Sequence, residues 1–210
     1  MSPWQFFLTH PSEILSATLT HLTLVLISIL IAIAIAVPLG MFVVHHKTLR
    51  TVALASASIF QTIPSLALFG FLIPIPFIGG IGPHTAIVAL VLYALLPILR
   101  NTYVGLTSVD PAVLQAAEAM GMTPAQILFR VRLPLALSII LAGIRTATVI
   151  TIGVATIAAA IGAGGLGTFI FRGVAMVSDA VILAGAIPAA LLALGADFLL
   201  ALLERRLRIS

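Results

Sequence analysis

No cysteine occurs anywhere in the 210 residues. A disulfide framework and a thiolate metal site are both excluded on that ground alone. Charge is almost as scarce, at 8% of residues, where an ordinary soluble domain carries roughly 25%. Lysine occurs once, as Lys47 behind two histidines, so no phosphate-binding G-x-x-x-x-G-K motif exists. G-x-S-x-G and H-E-x-x-H are missing too, which removes the common hydrolase and metalloprotease signatures. Without a nucleotide site the chain cannot hydrolyse ATP, so any work it does must be driven by a partner. The N-terminal residues 1–16 lack a basic n-region and contain His10, Pro11 and Glu13, which argues against a cleavable signal peptide.

Apolar sequence fills the space left by charge. Hydrophobic residues make up 61% of the chain and the mean hydropathy is +1.28. These values predict an all-α, polytopic membrane protein forming one transmembrane domain over 1–210. Five stretches approach or exceed the ~20 apolar residues that cross a bilayer: about 17–44, 51–75, 85–106, 135–161 and 180–203. The pI of 10.7 reflects basic residues at span ends rather than a nucleic-acid surface, and no nucleic-acid partner is expected. With five spans, Lys47, Arg50, Arg100, Arg130, Arg132, Arg205, Arg206 and Arg208 fall on one side and only Arg172 on the other. The positive-inside rule then places the N-terminus outside and the C-terminus in the cytoplasm. His45 to Arg50 reads as a solvated basic loop, and Arg172 and Asp179 as part of an outer loop.

Several interior positions carry more than packing. Gln61-Thr62-Ile63-Pro64-Ser65 interrupts the second span, because Pro64 removes a backbone donor and frees a carbonyl one turn earlier. A broken helix beside a translocation path is expected there, the alternative being a packing kink satisfied by Thr62 and Ser65. Asn101 lies near the inner end of the third span. Arg145, Thr148 and Thr151 lie in the fourth and Asp197 in the fifth. A charge at membrane depth costs ~2.5–3.5 kcal/mol on insertion scales, so Arg145 and Asp197 are expected to pair, the alternative being that each faces water or a second subunit. Residues 162–167, GAGGLG, match the dinucleotide pattern G-x-G-x-x-G. They follow a long apolar helix and lack the acidic residue expected about 20 positions on, so a flexible outer turn permitting close packing is the better reading.

The longest charged, turn-bearing stretch lies between the third and fourth spans, within 107–134. Asp110-Pro111 is a helix cap followed by proline at the first helical position. A small-residue helix ends at Gly121, and Thr123-Pro124-Ala125-Gln126 has capping-box spacing. The order Gln115-Ala116-Ala117, Gly121, Val131, Leu133-Pro134 resembles the EAA loop of permease subunits in binding-protein-dependent ABC importers. Gln115 stands where that pattern has an acid, and Glu118 lies one turn away. Gln61 to Ser65, Leu96 to Thr102 and Ala142 to Thr146 look like the osmoprotectant permeases, which move glycine betaine, choline and carnitine.

The resemblance implies a type I importer permease fold in the bacterial inner membrane, surrounded by lipid. It makes 107–134 the cytoplasmic coupling loop, with Gln115, Ala116, Ala117, Glu118, Gly121, Leu133 and Pro134 docking on ABC ATPase subunits. ATP and magnesium would belong to those ATPases, with no cofactor in this chain. It further implies a second permease subunit, identical or related, and an extracytoplasmic substrate-binding protein. The alternative cargo is methionine or a polar amino acid, and the alternative mechanism is an ion-gradient-driven transporter. One Trp and two Tyr are too few to define an aromatic cage from sequence.

Overall fold

The computed structural model describes residues 3–207, so Arg208 of the charge count lies outside the described residues. Every regular element among the described residues is helical. A short helix α1 (Pro3–Thr9) precedes α2 (Pro11–Val43), whose first turn contains proline and Glu13. Beyond Glu13, α2 has no charged residue, and its length exceeds what a bilayer requires. Next come α3 (Lys47–Thr62) and α4 (Ser65–Leu72), bent by 104° across the intervening proline. Then α5 (Pro83–Thr107), α6 (Pro111–Ala119) and α7 (Pro124–Ile127) follow. A π-helical turn (Leu128–Arg132) runs into α8 (Leu133–Ile157), which closes with a 3-10 turn (Ala158–Ile161). Finally α9 (Gly167–Ala175) and α10 (Asp179–Arg206) complete the chain.

Four segments are long and apolar enough to cross a membrane, and the bent pair makes a fifth if taken as one span. The contacts favour that count. Arg50 at the start of α3 bonds Tyr103 near the end of α5, whereas Gln61 at its end bonds the Tyr93 carbonyl at mid-helix. The pair therefore runs back along α5 from its C-terminal end toward its N-terminal end.

Helix α5 is the centre of the bundle. Ala89, Leu90, Ala94, Ile98 and Leu99 are buried, packed among Val25 and Ala36 of α2 and Ala147 and Ala155 of α8. Small residues set the spacing. A Cβ on Gly143 of α8 would lie 2.5 Å from Asn101 Cβ and 2.8 Å from the Pro97 carbonyl oxygen. Any larger residue there would push α8 off α5. The same α5 segment approaches α2, where a Cβ on Gly40 would meet Thr102 at 2.5 Å.

Four local expectations need correction. Lys47 and Arg50 are in α3 rather than in a loop, and Arg50 lies half-buried with its guanidinium 5.0 Å from the Tyr103 ring centre. Arg172 lies in α9 and Asp179 opens α10, so the outer loop is mostly helix. The GAGGLG stretch allows the close packing expected of it, against Thr156 and Ala159, but its last glycine belongs to α9 rather than to the turn. Residues 124 to 161 form one nearly continuous helical run. The π turn lies directly before Pro134, where an α-helix would lose the bond to Arg130 and crowd its carbonyl.

Candidate functional site: coupling turn and intramembrane ion cluster

The segment between α5 and α8 is built by its caps. Asp110 Oδ1 accepts from the Ala112 backbone N–H at 2.8 Å, and Pro111 starts α6. Gly121 has φ +76, a left-handed conformation that favours glycine. Its N–H donates to Glu118 O at 2.9 Å, and Met122 N–H donates to Ala117 O at 3.2 Å. The capping box of α7 is complete: Thr123 N–H donates to Gln126 Oε1 at 2.8 Å, and Gln126 N–H to Thr123 Oγ1 at 3.3 Å. Gln115, Ala116, Glu118 and Gly121 are exposed, while Ala117 is buried. Met120 and Phe129 add exposed apolar surface beside the turn. Leu133 and Pro134 are half-buried in the first turn of α8. Arg132 donates to Leu106 O at 3.4 Å, tying the segment to the end of α5. The result is a rigid, protruding helix–turn–helix with an exposed small-residue surface.

On the partly exposed seam between α8 and α10 the expected ion pair forms. Arg145 Nε lies 2.6 Å from Asp197 Oδ1, and Arg145 Nη2 lies 3.1 Å from Asp197 Oδ2. This bidentate geometry is the one a guanidinium fork favours. Glu204 Oε2 joins at 3.4 Å from Arg145 Nη1, a third member that sequence reading missed. The signal was present, since Glu204 follows Asp197 by two helical turns on the same face. Thr148, one turn beyond Arg145, bonds its own helix at Ile144 O and lines a cavity of about 250 Å³ with His21 and Ile152.

The remaining path candidates do not share that location. Asn101 packs on Gly143, two positions from Arg145 and so about 200° around α8. Its side chain donates to Pro97 O at 2.8 Å. Thr151 is buried with no hydrogen-bond partner for its hydroxyl among the described residues. At the break, Thr62 donates to Ile59 O at 2.7 Å and Gln61 to Tyr93 O at 2.9 Å. The Tyr93 hydroxyl donates to the Ile63 carbonyl. The break is thus served both locally, by Thr62, and from α5, by Tyr93, with no side-chain bond from Ser65 among the described residues. Tyr93 was missed although a tyrosine hydroxyl inside a span needs a partner. So was His21, buried in α2 with Nε2 at 3.1 Å from Ile152 O.

A bundle of apolar spans, with a capped helical turn between two of them and paired charges on the α8–α10 seam, marks a multi-pass membrane protein. The chain belongs to the family of binding-protein-dependent transport system inner membrane components, which it matches over residues 28–209. Its role is therefore transport rather than catalysis. It is 50% identical over 172 residues to the choline transport system permease protein OpuBD of Bacillus subtilis (strain 168), covering 81% of this chain and 75% of that one. It is 45% identical over 202 residues to the osmoprotectant import permease protein OsmW of Salmonella typhimurium, covering 95% and 94%. Among solved structures, an inward-facing MetNI methionine ABC transporter superposes with a TM-score of 0.83 at 26% identity, covering 94% of this chain and 98% of that one.

Proposed function

We propose that this chain is the permease subunit of an ABC importer that carries quaternary ammonium osmoprotectants, such as glycine betaine, choline and carnitine, into the cytoplasm. The observation that carries this reading is near-full-length similarity, at 45% identity, to an osmoprotectant import permease. The capped turn at Gly121 is the docking element for an ABC ATPase, which binds ATP and magnesium. Gln115, Ala116, Ala117, Glu118, Leu133 and Pro134 surround that contact. A second permease subunit completes the pathway, and an extracytoplasmic binding protein delivers cargo. The residues at the break, together with Asn101, Arg145, Thr148, Thr151 and Asp197, belong to the moving parts of that pathway.

The bias of basic residues supports an orientation with the N-terminus outside and the coupling segment in the cytoplasm, and the same reading puts the chain in the inner membrane of a bacterium. ATP binding draws the ATPases together, and the coupling turns transmit that motion to the spans. Each state must differ in its contacts with ATPase or cargo, or nothing is driven.

A second cargo class, methionine or a polar amino acid, has the support of the structural match to a methionine transporter. Co-purification tests the assembly. Wild type brings down its ATPase, while Gly121→Glu inserts normally and does not. Reconstituted uptake then tests cargo. ATP-dependent accumulation of labelled choline or glycine betaine supports the first class. Accumulation of methionine alone supports the second.

A further inference from the structure

The ion cluster borders a cavity of about 660 Å³ between α8 and α10, walled by Arg145, Asp197, Phe198, Glu204 and Arg205. Small-molecule sites occupy roughly 300–1,000 Å³. Arg145 lies about twelve residues beyond the start of α8, or ~18 Å along it. Asp197 lies about nine residues before the end of α10, or ~14 Å. The side chains of Arg145, Asp197 and Glu204 nonetheless retain 35%, 42% and 30% of their exposure. Arg145 and Asp197, exposed at such depth, face water or protein rather than hydrocarbon, and Glu204 lies in the last turn of α10.

The four charged groups are not equivalent. Asp197 has both oxygens engaged by Arg145. Glu204 contacts Arg145 through one oxygen only, at 3.4 Å. Arg205 has no ion-pair partner among the described residues. Phe198 presents its ring at 63% exposure. Phe198 and Arg205 lie two helical turns apart on one strip of α10. A ring face and a carboxylate attract a quaternary ammonium group, which cannot donate hydrogen bonds. A free guanidinium takes a carboxylate in a bidentate fork.

We propose that this cavity is a transit site for small zwitterions in the inner half of the pathway. Phe198 and Glu204 hold the quaternary ammonium end, and Arg205 holds the carboxylate end. Arg145 and Asp197 fix the positions of Glu204 and α10. The inference rests on the quaternary ammonium reading of the cargo, and it makes a demand that reading does not. A zwitterion uses both ends of the site, whereas choline, a cation without a carboxylate, uses only one.

The test measures binding of labelled glycine betaine and labelled choline to the permease–ATPase complex in lipid nanodiscs, without binding protein. Arg205→Gln should weaken glycine betaine at least tenfold and leave choline within twofold. Glu204→Gln and Phe198→Leu should weaken both, and Phe198→Trp should retain both. Equal effects of Arg205→Gln on the two ligands, or none on either, overturn the site. So does a wild-type complex that binds neither ligand while importing both with ATP and binding protein. If that same complex imports neither, the cargo reading falls and takes the site with it.

Discussion

Two outward faces of this bundle both expose large apolar side chains, and only one of them carries a charge cluster. Along α2 the exposed positions Leu15, Leu19, Leu22, Leu26 and Leu30 form a stripe of large apolar side chains. Along α8 and α10 the outward surface sets Thr146, Gly153 and the Arg145, Asp197 and Glu204 cluster among exposed Leu191, Leu194, Phe198 and Leu199. The leucine stripe suits lipid tails, whereas the second face carries charges that lipid tails penalise. Exposure alone therefore does not identify the solvent, and the chemistry of what is exposed does.

The strongest way to break this contrast is to place a charge on each face. Leu30→Arg, at the middle of α2, should cost ~2.5–3.5 kcal/mol of insertion and sharply lower the membrane-inserted fraction in an alkaline-extraction assay. Thr146→Arg should insert nearly as well as wild type while reducing uptake. Equal loss of inserted protein from both would erase the distinction. Removing a charge gives the next largest effect. Arg145→Ala leaves Asp197 and Glu204 uncompensated and should lower ATP-driven uptake at least tenfold. The Arg145→Asp/Asp197→Arg exchange should recover part of that loss if the pair acts as a unit.

An interior polar bond should rank third. Tyr93→Phe orphans the Ile63 carbonyl and should destabilise the protein by ~1–3 kcal/mol, read as an earlier thermal transition in detergent. Smallest of all is Leu26→Ala on the lipid face, expected to change stability by no more than about 0.5 kcal/mol in the same measurement.

Much of this was legible because apolar length and cap chemistry are local signals. The spans, Asp110, Gly121 and the Thr123 capping box all follow from near neighbours in sequence, and the structure forms them. The Arg145–Asp197 pair was legible for another reason, since two opposite charges at matching depth need each other. What sequence hid was tertiary. Tyr93 serves a carbonyl thirty residues earlier, and His21 faces an α8 carbonyl 131 residues away. No local period encodes such distances. Lys47 and Arg50 misled because charge reads as loop, although a first helical turn near an aromatic ring accommodates it equally well.

The bend between α3 and α4 has a consequence for biogenesis. When these two helices emerge during synthesis, the Ile63 carbonyl has no tyrosine to meet, because Tyr93 has yet to be made. Until it arrives, the second span would hold an unpaired polar group in hydrocarbon. The second span is therefore expected to linger in the insertion machinery and to be released with α5 as a unit. In glycosylation mapping of truncated nascent chains, those ending before Tyr93 should leave the second span incompletely integrated, and chains extending past α5 should integrate both.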